Sequence, residues 1–594
     1  MIGVSTSPFY LFLLRKTNVW YSCKDGNWSD PNTWLSNALD RKIVLTPQVG
    51  DTVYVNHVVT MDVATIHIKN IYISGTLLAT ASPAVSITID GDCQVSGSGL
   101  ISLPFQFHNL ILNGYNNIIS AAGFNAGSFS TVTYNAILDQ PILNIPYNNL
   151  ATQNTGKKYQ IDNVTVGGTF NQQSNYECGN YNLTVNGTSA IGTVGAFTFS
   201  KNGPGNILFV GNVEFQGATD LSAGNPNVEF RGGFDIHTFS FISGTGNVTF
   251  STNSQTLSCS AFLGGVWNAP IIVQGAITVT LTGGTFTANS TINGTVSDST
   301  FDNNGILYLA YNSTPMSTGV FNYQNTTSST LGYVFNGAAT LPYSSYANLV
   351  IAGTGIKSLG ANASIAQSLT ISSGIMDCAG YNLSVSTTFT CSGDFRATSF
   401  SSLLFVGFVQ INTGLSSGFD LRTGNPNVEF RGGFDVHASQ CYTGTGTFTF
   451  TTNNQAMGFS AFNGGLCSAN FLVSGAITVT FSGGAVVPNS TGTLNGDNAN
   501  SVFVMGSGSF DYCNATAPMV TGKIYCNQAA NTFIYGLTGG QDITPPSDPT
   551  PGYKNLTLNG SGAKRLLGNV SVKGIYTLTS AATLNSNGFA LTNP

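Results

Sequence analysis

A stretch of twelve residues occurs twice in this chain of 594 residues, without a single difference. It runs from Gly224 to Asp235 and again from Gly424 to Asp435, 200 positions later. Identity over twelve positions does not arise by chance, and self-similarity at a fixed period is typical of repeat architectures. The chain therefore contains a long internal duplication, and its fold must accommodate this stretch twice.

Apolar and polar residues alternate in the duplicated stretch as they do in a half-buried β-strand. The alternation predicts that Val228 and Phe230 point inward, and that Glu229 and Arg231 point outward as an ion pair. The two glycines that follow predict a bend towards the next strand. We interpret the stretch as a structural unit of the repeat rather than as an active site. Its residues are Asn225, Pro226, Glu229, Arg231, Gly232 and Gly233, repeated as Asn425, Pro426, Glu429, Arg431, Gly432 and Gly433.

Charged residues are unusually scarce in this sequence. Asp, Glu, Lys and Arg make up 7% of the chain, whereas about 25% is typical of soluble proteins. With 42% hydrophobic residues, the composition is the opposite of that of a disordered chain. The polar surface must consist of hydroxyls and amides, as in stacked β-structure where Thr and Asn line up on successive strands.

The charge distribution also excludes some partners. The net charge of −6 comes without a cluster of Lys and Arg, which argues against a nucleic-acid partner. The apolar run at residues 9–14 is too short for a signal-peptide core or a membrane span, so we predict no membrane insertion.

Short segments with a period of two predict an all-β fold. Strands of four to six residues alternate with Gly, Asn and Ser turns, and no long window has a helical period. Continuous strand–turn spacing without linkers favours an elongated, repetitive β-solenoid, similar to a right-handed β-helix, with roughly 20–25 residues per coil. Tandem β-sandwich or jelly-roll domains are the alternative, because a period near 200 residues could hold two sandwiches.

The repeat spacing divides the chain into six parts. The pattern aromatic-x-Asn-Leu begins at Phe107, Tyr147, Tyr346 and Tyr553, and Gly-Lys or Gly-x-Lys follows the last three copies. Residues 538–552 are Pro-rich, and we predict that they protrude as a candidate contact loop or act as a short stiff link. The predicted parts are an N-terminal anchoring segment 1–19, a β domain 20–106, a transition or partial repeat 107–146, two full repeats 147–345 and 346–552, and a truncated repeat 553–594.

No catalytic, cofactor-binding or metal-binding site is predicted. The sequence has no HExxH, P-loop or GxSxG motif. Polysaccharide cleavage would require paired carboxylates, and the only duplicated acidic sets are Glu229 with Asp235 and their counterparts in the second copy. Asp90, Asp92 and Asp377 lie in predicted turns, where too few carboxylates accompany them for a calcium site.

Ten cysteines are present, with no CxxC motif and no zinc spacing. Only Cys178 and Cys378 occupy equivalent repeat positions, whereas a disulfide framework would recur with the repeat. We therefore predict free, mostly buried thiols and assembly in a reducing cytoplasm.

Residues 26–80 contain Trp28-Ser-Asp-Pro-Asn-Thr-Trp34, then Pro47-Gln-Val-Gly-Asp-Thr-Val53, then a strand ending in Gly75-Thr-Leu77. This order resembles the G8-type β-domain. The resemblance implies a β-rich module that is found at the head of extracellular and fibrous β-helical proteins and carries no catalytic residues. The sequence departs from that pattern between residues 35 and 45. We predict that the two tryptophans lie in the core and cap the open end of the β-stack.

The repeat itself has the form Tyr-x-Asn-Leu, then a Gly-Lys strand, then Gly-Tyr-Asn-Leu-Thr-Val. It resembles repeats in large surface β-proteins of Bacteroidetes and in fibre or tail proteins of phages that infect them. Both families imply adhesion or a structural role at a surface. We expect neither an export signal nor a C-terminal sorting domain, and this favours a virion protein.

The expected function is that of a structural bacteriophage virion protein without enzymatic activity, a tail or head fibre or surface component that contributes to host attachment. The resemblance implies a homotrimer that is assembled in the host cytoplasm and held to other virion proteins by its N-terminus. A host-surface glycan is a further expected partner, bound by aromatic and amide side chains on the shaft or on residues 538–552. The alternatives are an adhesin located on the bacterial cell surface and a β-helical polysaccharide depolymerase.

Overall fold

The chain is all-β, as the alternation of residues predicts. About 48% of it is strand and about 1% is helix, the helical part being the short 3-10 turns Pro31–Thr33 and Ala121–Gly123. Residues 1–16 of the predicted anchoring segment lie outside the described residues. The computed structural model describes residues 17–37, 45–105, 107–192, 197–237, 241–324, 326–412, 418–437, 441–488, 492–528, 530–548 and 552–593.

Consecutive strands form three-sided coils that stack in parallel. Asn149–Thr152, Lys158–Gln160 and Val164–Val166 make one such coil, and Phe170–Gln172 begins the next by pairing in parallel with the first. The two compact units of the chain together contain about 23 turns of this kind. The predicted β-solenoid is thus confirmed. The β-sandwich alternative is wrong, because sandwiches are built from antiparallel neighbours.

The first compact unit comprises residues 1–284, 290–301 and 318–320. The strands of its first side are Thr65–Ile68, Ser86–Ile89, Asn109–Leu112, Thr131–Tyr134, Asn149–Thr152, Phe170–Gln172, Ser189–Ile191, Val213–Phe215, Phe234–Ile236 and Gln255–Trp267. Its four other sheets contain, in order of pairing, Cys93–Val95, Asn70–Ile73, Thr52–Val55, Val19–Ser22 and Trp34–Ser36; Phe124–Ala126, Leu100–Leu103, Thr76–Ala79, Val58–Met61 and Gly26–Asn27; Gln140–Ile142, Lys158–Gln160, Tyr176–Glu177, Thr198–Ser200, Ala218–Asp220 and Phe241–Ile242; and Val164–Val166, Leu183–Val185, Asn206–Phe209, Asn227–Phe230, Val248–Phe250, Ile271–Val273 and Ile292–Gly294.

The second compact unit comprises residues 285–289, 302–317 and 321–594. The strands Thr278–Ala288, Thr300–Asn303 and Val320–Asn322 contain residues of both units. The strands of the second unit's first side are Ile306–Leu309, Thr330–Tyr333, Asn348–Ile351, Ser368–Ile371, Thr388–Cys391, Phe408–Ile411, Phe434–Val436, Gln455–Cys467, Thr478–Pro488, Val502–Met505, Gly508–Tyr512, Lys523–Tyr525, Asn531–Tyr535, Leu556–Leu558 and Tyr576–Leu578. Its other sheets contain Ala339–Leu341, Ile356–Leu359, Ile375–Asp377, Asp394–Arg396, Phe419–Asp420 and Cys441–Tyr442; Ser345–Tyr346, Ala363–Ile365, Leu383–Val385, Ser402–Phe405, Asn427–Phe430, Thr447–Phe450, Asn470–Val473 and Leu494–Gly496; Gln541–Ile543, Gly562–Leu566 and Ala582–Asn585; and Val570–Ser571 and Leu591–Thr592.

The core of each unit lies inside the coils. Inward positions carry Val, Ile, Leu and Phe side chains that are almost completely buried. In the first unit, the ring of Phe230 stacks between those of Phe209 and Phe250, with centroid distances of 5.7 and 5.6 Å. Aromatic contacts of this kind add to the burial of apolar area, so successive coils are joined through their interior as well as through their backbones.

In three copies of the aromatic-x-Asn-Leu pattern, the Asn joins its coil to the next one. The Oδ1 atom of Asn149 accepts a hydrogen bond from the backbone N–H of Thr169 at 2.8 Å, and Asn555 accepts one from Ile575 at the same distance. Asn348 does the same with Ser368 at 3.2 Å. We call these residues the Asn clamps. They give the Asn the same structural role in these three copies of the pattern.

The predicted tryptophan core is present at the first edge of the first unit. Trp28 and Trp34 are 3% and 5% exposed, and their rings meet edge to face at 4.9 Å. Trp34 begins an edge strand that pairs antiparallel with Val19–Ser22. The next strand in this sheet, Thr52–Val55, pairs with Val19–Ser22 in parallel. The edge strand thus covers one side of this end of the parallel stack.

The structure corrects the predicted loop and aligns the lysines of the three repeats. The described part of the Pro-rich segment does not protrude, because Gln541–Ile543 is a strand that pairs with Lys564–Leu566, and Pro546 is buried. In the first repeat, the lysine that matches Lys357 and Lys564 is Lys158 rather than Lys157, since Lys158 is the buried one. The spacing is therefore Gly-x-Lys in all three copies.

Substitution of Gly407 by Ala is expected to destabilise the second unit by about 3 kcal/mol. A Cβ atom at this position would overlap the backbone carbonyl oxygen of Thr387 in the preceding coil. Chemical denaturation would measure the loss, with Val406→Ala, at a neighbouring exposed position, as the control that changes little. A stable Gly407→Ala variant would show that the coils can separate locally without loss of stability.

Candidate functional site

The duplicated stretch forms equivalent strands in the two units, Asn227–Phe230 and Asn427–Phe430. Val228 and Phe230 are 2% and 1% exposed, while Glu229 and Arg231 are partly exposed. The predicted inward and outward directions are therefore confirmed. The second copy has the same burial pattern.

Asn225 and Pro226 form the turn that leads into this strand. Asn225 has a positive φ of 44°, a conformation that Asn tolerates better than most residues. Its Oδ1 atom accepts hydrogen bonds from the backbone N–H and the hydroxyl of Thr245, at 2.8 and 3.0 Å. Pro226 is buried. Asn425 and Pro426 repeat this arrangement, with Thr445 as the donor at 2.7 and 3.1 Å.

The bend at Gly232 and Gly233 is held by one buried glutamine. The side-chain oxygen of Gln255 accepts a hydrogen bond from the Gly233 N–H at 3.0 Å, and its amide nitrogen donates to the carbonyls of Phe230 and Ser251. Gly233 has a φ of 98°, which favours glycine. Gln455 makes the same three hydrogen bonds around Gly433 in the second copy.

The outward side chains form an ion pair within a single coil. The Nε atom of Arg231 lies 2.7 Å from Oε1 of Glu229, which also accepts a hydrogen bond from the Ser251 hydroxyl at 2.5 Å. Burial raises the pKa of Glu229, but the hydrogen bonds from Arg231 and Ser251 outweigh it and lower the pKa below its usual value. Glu429 and Arg431 form the equivalent pair, also at 2.7 Å.

A shallow groove of about 460 Å³ borders the first ion pair. It is lined by Glu229, Arg231, Ser251, Thr252 and residues 274–277. Glu229 is its only carboxylate, and the lowered pKa keeps it ionised at neutral pH. General acid catalysis would need a protonated carboxyl group, so this geometry is suited to hydrogen bonding and not to acid catalysis.

The second duplicated carboxylate lies elsewhere. Asp235 belongs to a strand of a different sheet and forms an ion pair with His237 at 2.7 Å. The bend at Gly232 and Gly233 separates it from Glu229, so the structure does not bring the two together as a catalytic pair.

The calcium candidates are engaged in hydrogen bonds to neighbouring coils. Asp90 accepts from the side chains of His67 and Asn113, both at 2.8 Å. Asp377 accepts from the backbone and hydroxyl of Thr398. Within the part of the chain that the structure describes, no group of three or more His, Cys, Asp or Glu side chains is arranged to hold a metal ion.

Sequence reasoning missed a set of buried lysines. Their ammonium groups donate to backbone carbonyls at the coil corners: Lys158 Nζ lies 2.7 Å from the Ala136 oxygen and 2.8 Å from that of Gly156. Burial lowers the pKa of Lys158 to about 8. The Gly-x-Lys spacing was the available signal, but lysine is rarely buried without a partner. The four buried lysines of this kind are Lys158, Lys201, Lys357 and Lys564.

The buried glutamine should matter more to stability than the ion pair beside it. Gln255→Leu is expected to destabilise the protein by about 3 kcal/mol, because it leaves the Gly233 N–H and the carbonyls of Phe230 and Ser251 without their partner. Arg231→Gln should cost less than about 1 kcal/mol, since the pair is partly exposed. Denaturant unfolding of both variants would measure the difference. A larger loss of stability in Arg231→Gln than in Gln255→Leu would show that the ion pair contributes more to this region than the glutamine does.

Comparisons with protein-family models, with curated proteins and with solved structures gave no match to this chain. Among the described residues, none of the helices has the length and hydropathy that a membrane span requires.

Proposed function

We propose that the chain is a structural protein of a bacteriophage virion, a tail or head fibre or a related surface component that contributes to host attachment. The observation that carries the proposal is that each unit is a stack of short coils, joined by parallel strand pairing and by apolar contacts inside. Such stacks suit a scaffold that displays a surface. Repeats of this style resemble those of phage fibres and Bacteroidetes surface proteins.

The cysteines support assembly in a reducing compartment. Eight of them are free, and six of these eight are buried. Burial raises the pKa of Cys93 and Cys178 to about 12, which keeps them as unreactive thiols. A protein that matured in an oxidising compartment would be expected to use some of its cysteines in disulfides.

Immuno-electron microscopy tests the proposal. Antibodies raised against the purified chain should label purified phage particles from the source and reduce their attachment to host cells. Labelling of uninfected cells would instead identify an adhesin of the bacterial surface, the main alternative. Release of reducing sugar from host polysaccharide by the purified chain would identify a depolymerase.

We also propose that the protein assembles as a homotrimer. Side chains such as Ile137 and Leu138 are 72% and 60% exposed, and association would remove such apolar surface from water. Light scattering of the purified chain should give three times its mass of 62.0 kDa. A monomer at micromolar concentration would contradict this part of the proposal.

A further inference from the structure

Two of the aromatic-x-Asn-Leu copies contain a pair of buried, hydrogen-bonded tyrosines. In the first unit, the hydroxyls of Tyr134 and Tyr147 are 2.6 Å apart. The backbone N–H of Leu143 donates to the Tyr134 hydroxyl at 3.1 Å, and the Tyr147 hydroxyl donates to the Leu143 carbonyl at 2.6 Å. We call this arrangement the tyrosine clasp. Both hydroxyls are satisfied by the ninth residue after the first tyrosine.

The last copy of the pattern, in the second unit, repeats the clasp. The hydroxyls of Tyr535 and Tyr553 are 2.8 Å apart. Thr544, again the ninth residue after the first tyrosine, supplies the N–H at 3.1 Å and the carbonyl at 2.6 Å. The two clasps therefore have the same chemistry although their sequences differ between the tyrosines.

The copy that begins at Tyr346 is the middle one of the three that begin with tyrosine, and it also lies in the second unit. It cannot close the clasp. Its tyrosines are Tyr333 and Tyr346, and the ninth residue after Tyr333 is Pro342. Proline has no backbone N–H. The hydroxyls of Tyr333 and Tyr346 are both buried; they interact with each other, and Tyr346 also interacts with the backbone of Tyr343. Tyr333 therefore lacks the backbone donor that Leu143 and Thr544 supply in the other two copies.

The same copy lacks a second conserved feature of the other two. Gln140 and Gln541, six residues after the first tyrosine, are almost fully buried. The amide of Gln140 donates to the carbonyls of Leu112 and Gly114, at 2.9 and 2.6 Å. Gln541 makes the equivalent bonds at 2.6 and 3.1 Å. The middle copy has Ala339 at this position, so the amide and its donors are missing.

A cavity of about 230 Å³ lies where these groups are missing. Tyr333 and Phe335 form a buried aromatic wall of this cavity. Their side chains are 4% and 7% exposed. The Nζ atom of Lys357 lies 4.4 Å from the ring centroid of Phe335 and holds that ring in place. The exposed residues of the rim are uncharged and polar, and they are Asn312, Ser313, Thr314 and Thr340.

The size and lining of the cavity define its ligand. At about 30 Å³ per water molecule it has room for roughly seven waters, and it is smaller than the about 300–1,000 Å³ of pockets for drug-sized molecules. An aromatic wall with hydroxyl and amide groups at the rim is suited to a ring that is apolar on its face and hydroxylated at its edge. Hydroxyl groups both donate and accept, as the missing glutamine amide does.

We propose that this cavity binds a single pyranose unit of a glycan. The sugar ring contacts Tyr333 and Phe335, and its hydroxyls bond to the rim residues. The site would supply the receptor contact in the proposed attachment function and in that sense rests on it. Saccharide binding is nevertheless measured on the isolated protein, so it can fail or succeed independently of particle labelling.

The sequence itself provides the decisive variant. Ala339→Gln introduces the side chain that fills this space in the other two copies, so the fold should be retained. Isothermal titration calorimetry would measure binding of glucose, galactose, mannose, rhamnose and N-acetylglucosamine to the full chain. We expect saturable binding of at least one sugar, and a loss of at least tenfold in affinity in Ala339→Gln at an unchanged or higher melting temperature. Ser547→Ala, outside the cavity, is the control that retains binding.

Two results would overturn the proposal. One is that none of the five sugars binds at concentrations up to tens of millimolar. The other is that Ala339→Gln binds as tightly as the original protein, which would place the sugar elsewhere.

A stability comparison checks the Tyr333 hydroxyl separately. Tyr333→Phe should lower the melting temperature less than Tyr535→Phe does, because the Tyr333 hydroxyl has no backbone donor at Pro342. Tyr535→Phe should lower it, because that hydroxyl is bonded to Tyr553 and Thr544. Equal losses in the two variants would show that the missing backbone donor at Pro342 does not weaken the hydrogen bonding of Tyr333.

Discussion

Raising the pH from 8 to 10 is expected to destabilise the protein by several kcal/mol, because its buried thiols ionise only in the unfolded chain. Burial raises the pKa of Cys93 and Cys178 to about 12, from an ordinary value of 9.0. Burial shifts the pKa values of the other buried free thiols in the same direction. These are Cys259, Cys378, Cys391 and Cys526.

The sign follows from where each group titrates. A thiol whose pKa is raised in the folded state gives its full stabilisation below the unfolded pKa of 9.0, and this stabilisation is lost as the pH rises above that value. Between pH 8 and pH 10 the loss is about 1.4 kcal/mol for each thiol. Lys158 opposes this loss, because burial lowers its pKa to about 8 in the folded protein. Its deprotonation in the folded state raises the free energy of unfolding by about 2 kcal/mol between pH 8 and pH 10. Burial also lowers the pKa values of Lys201, Lys357 and Lys564, which adds to this gain. The six thiols together lose about 8 kcal/mol, which exceeds it.

Denaturant unfolding at pH 8, 9 and 10 would measure the effect. The double variant Cys178→Ala, Cys378→Ala removes two of the thiols at equivalent repeat positions, and its loss of stability between pH 8 and pH 10 should be about 3 kcal/mol smaller. If the original protein and the variant lose the same amount, the buried thiols are not the titrating groups. The buried tyrosines would then be the next candidates, because burial also raises their pKa values.

Phe430→Ala is expected to destabilise the second unit by about 3–5 kcal/mol. Phe430 is 1% exposed and contacts four other aromatic rings. Its centroid lies 4.7 Å from that of Phe434 and 5.7 Å from that of Phe405. The rings of Phe448 and Phe450 are both 5.5 Å away. Removal of this side chain leaves a cavity that the closely stacked coils cannot close.

The control is a phenylalanine on the surface of the same unit. Phe400 is 63% exposed, so Phe400→Ala should change the unfolding free energy by less than about 0.5 kcal/mol. Phe230→Ala, the counterpart of Phe430→Ala in the first unit, should cause a similarly large loss. A small effect of both core variants would contradict the importance of this phenylalanine for the core inside the coils.

The fold could be predicted because its local rules are simple. Strict alternation at Val228, Glu229, Phe230 and Arg231 sets inward and outward positions in any β-structure, and continuous spacing without linkers favoured a solenoid. The Pro-rich segment was mistaken for a protruding loop because prolines suggest turns. Strand pairing with the next coil overrides that local preference at Gln541–Ile543, where Gln541 and Ile543 are buried.

The cavity in the middle copy could not be predicted from one copy of the repeat. Ala339 begins the strand Ala339–Leu341 and Pro342 follows it directly, and nothing local marks either residue as unusual. Their meaning depends on a backbone N–H from Leu143 or Thr544 that bonds a tyrosine nine residues earlier. This relation becomes visible only when the three copies are compared in register in the folded chain.

The antiparallel edge strand beside Trp34 makes the two directions of growth unequal. A second copy could extend a parallel sheet only by offering its own strand in parallel register, and Trp34–Ser36 already occupies that position in its sheet with the opposite polarity. At this edge of the sheet, a further strand would therefore meet a neighbour of opposite direction, unlike the strands that pair in parallel along the rest of the sheet.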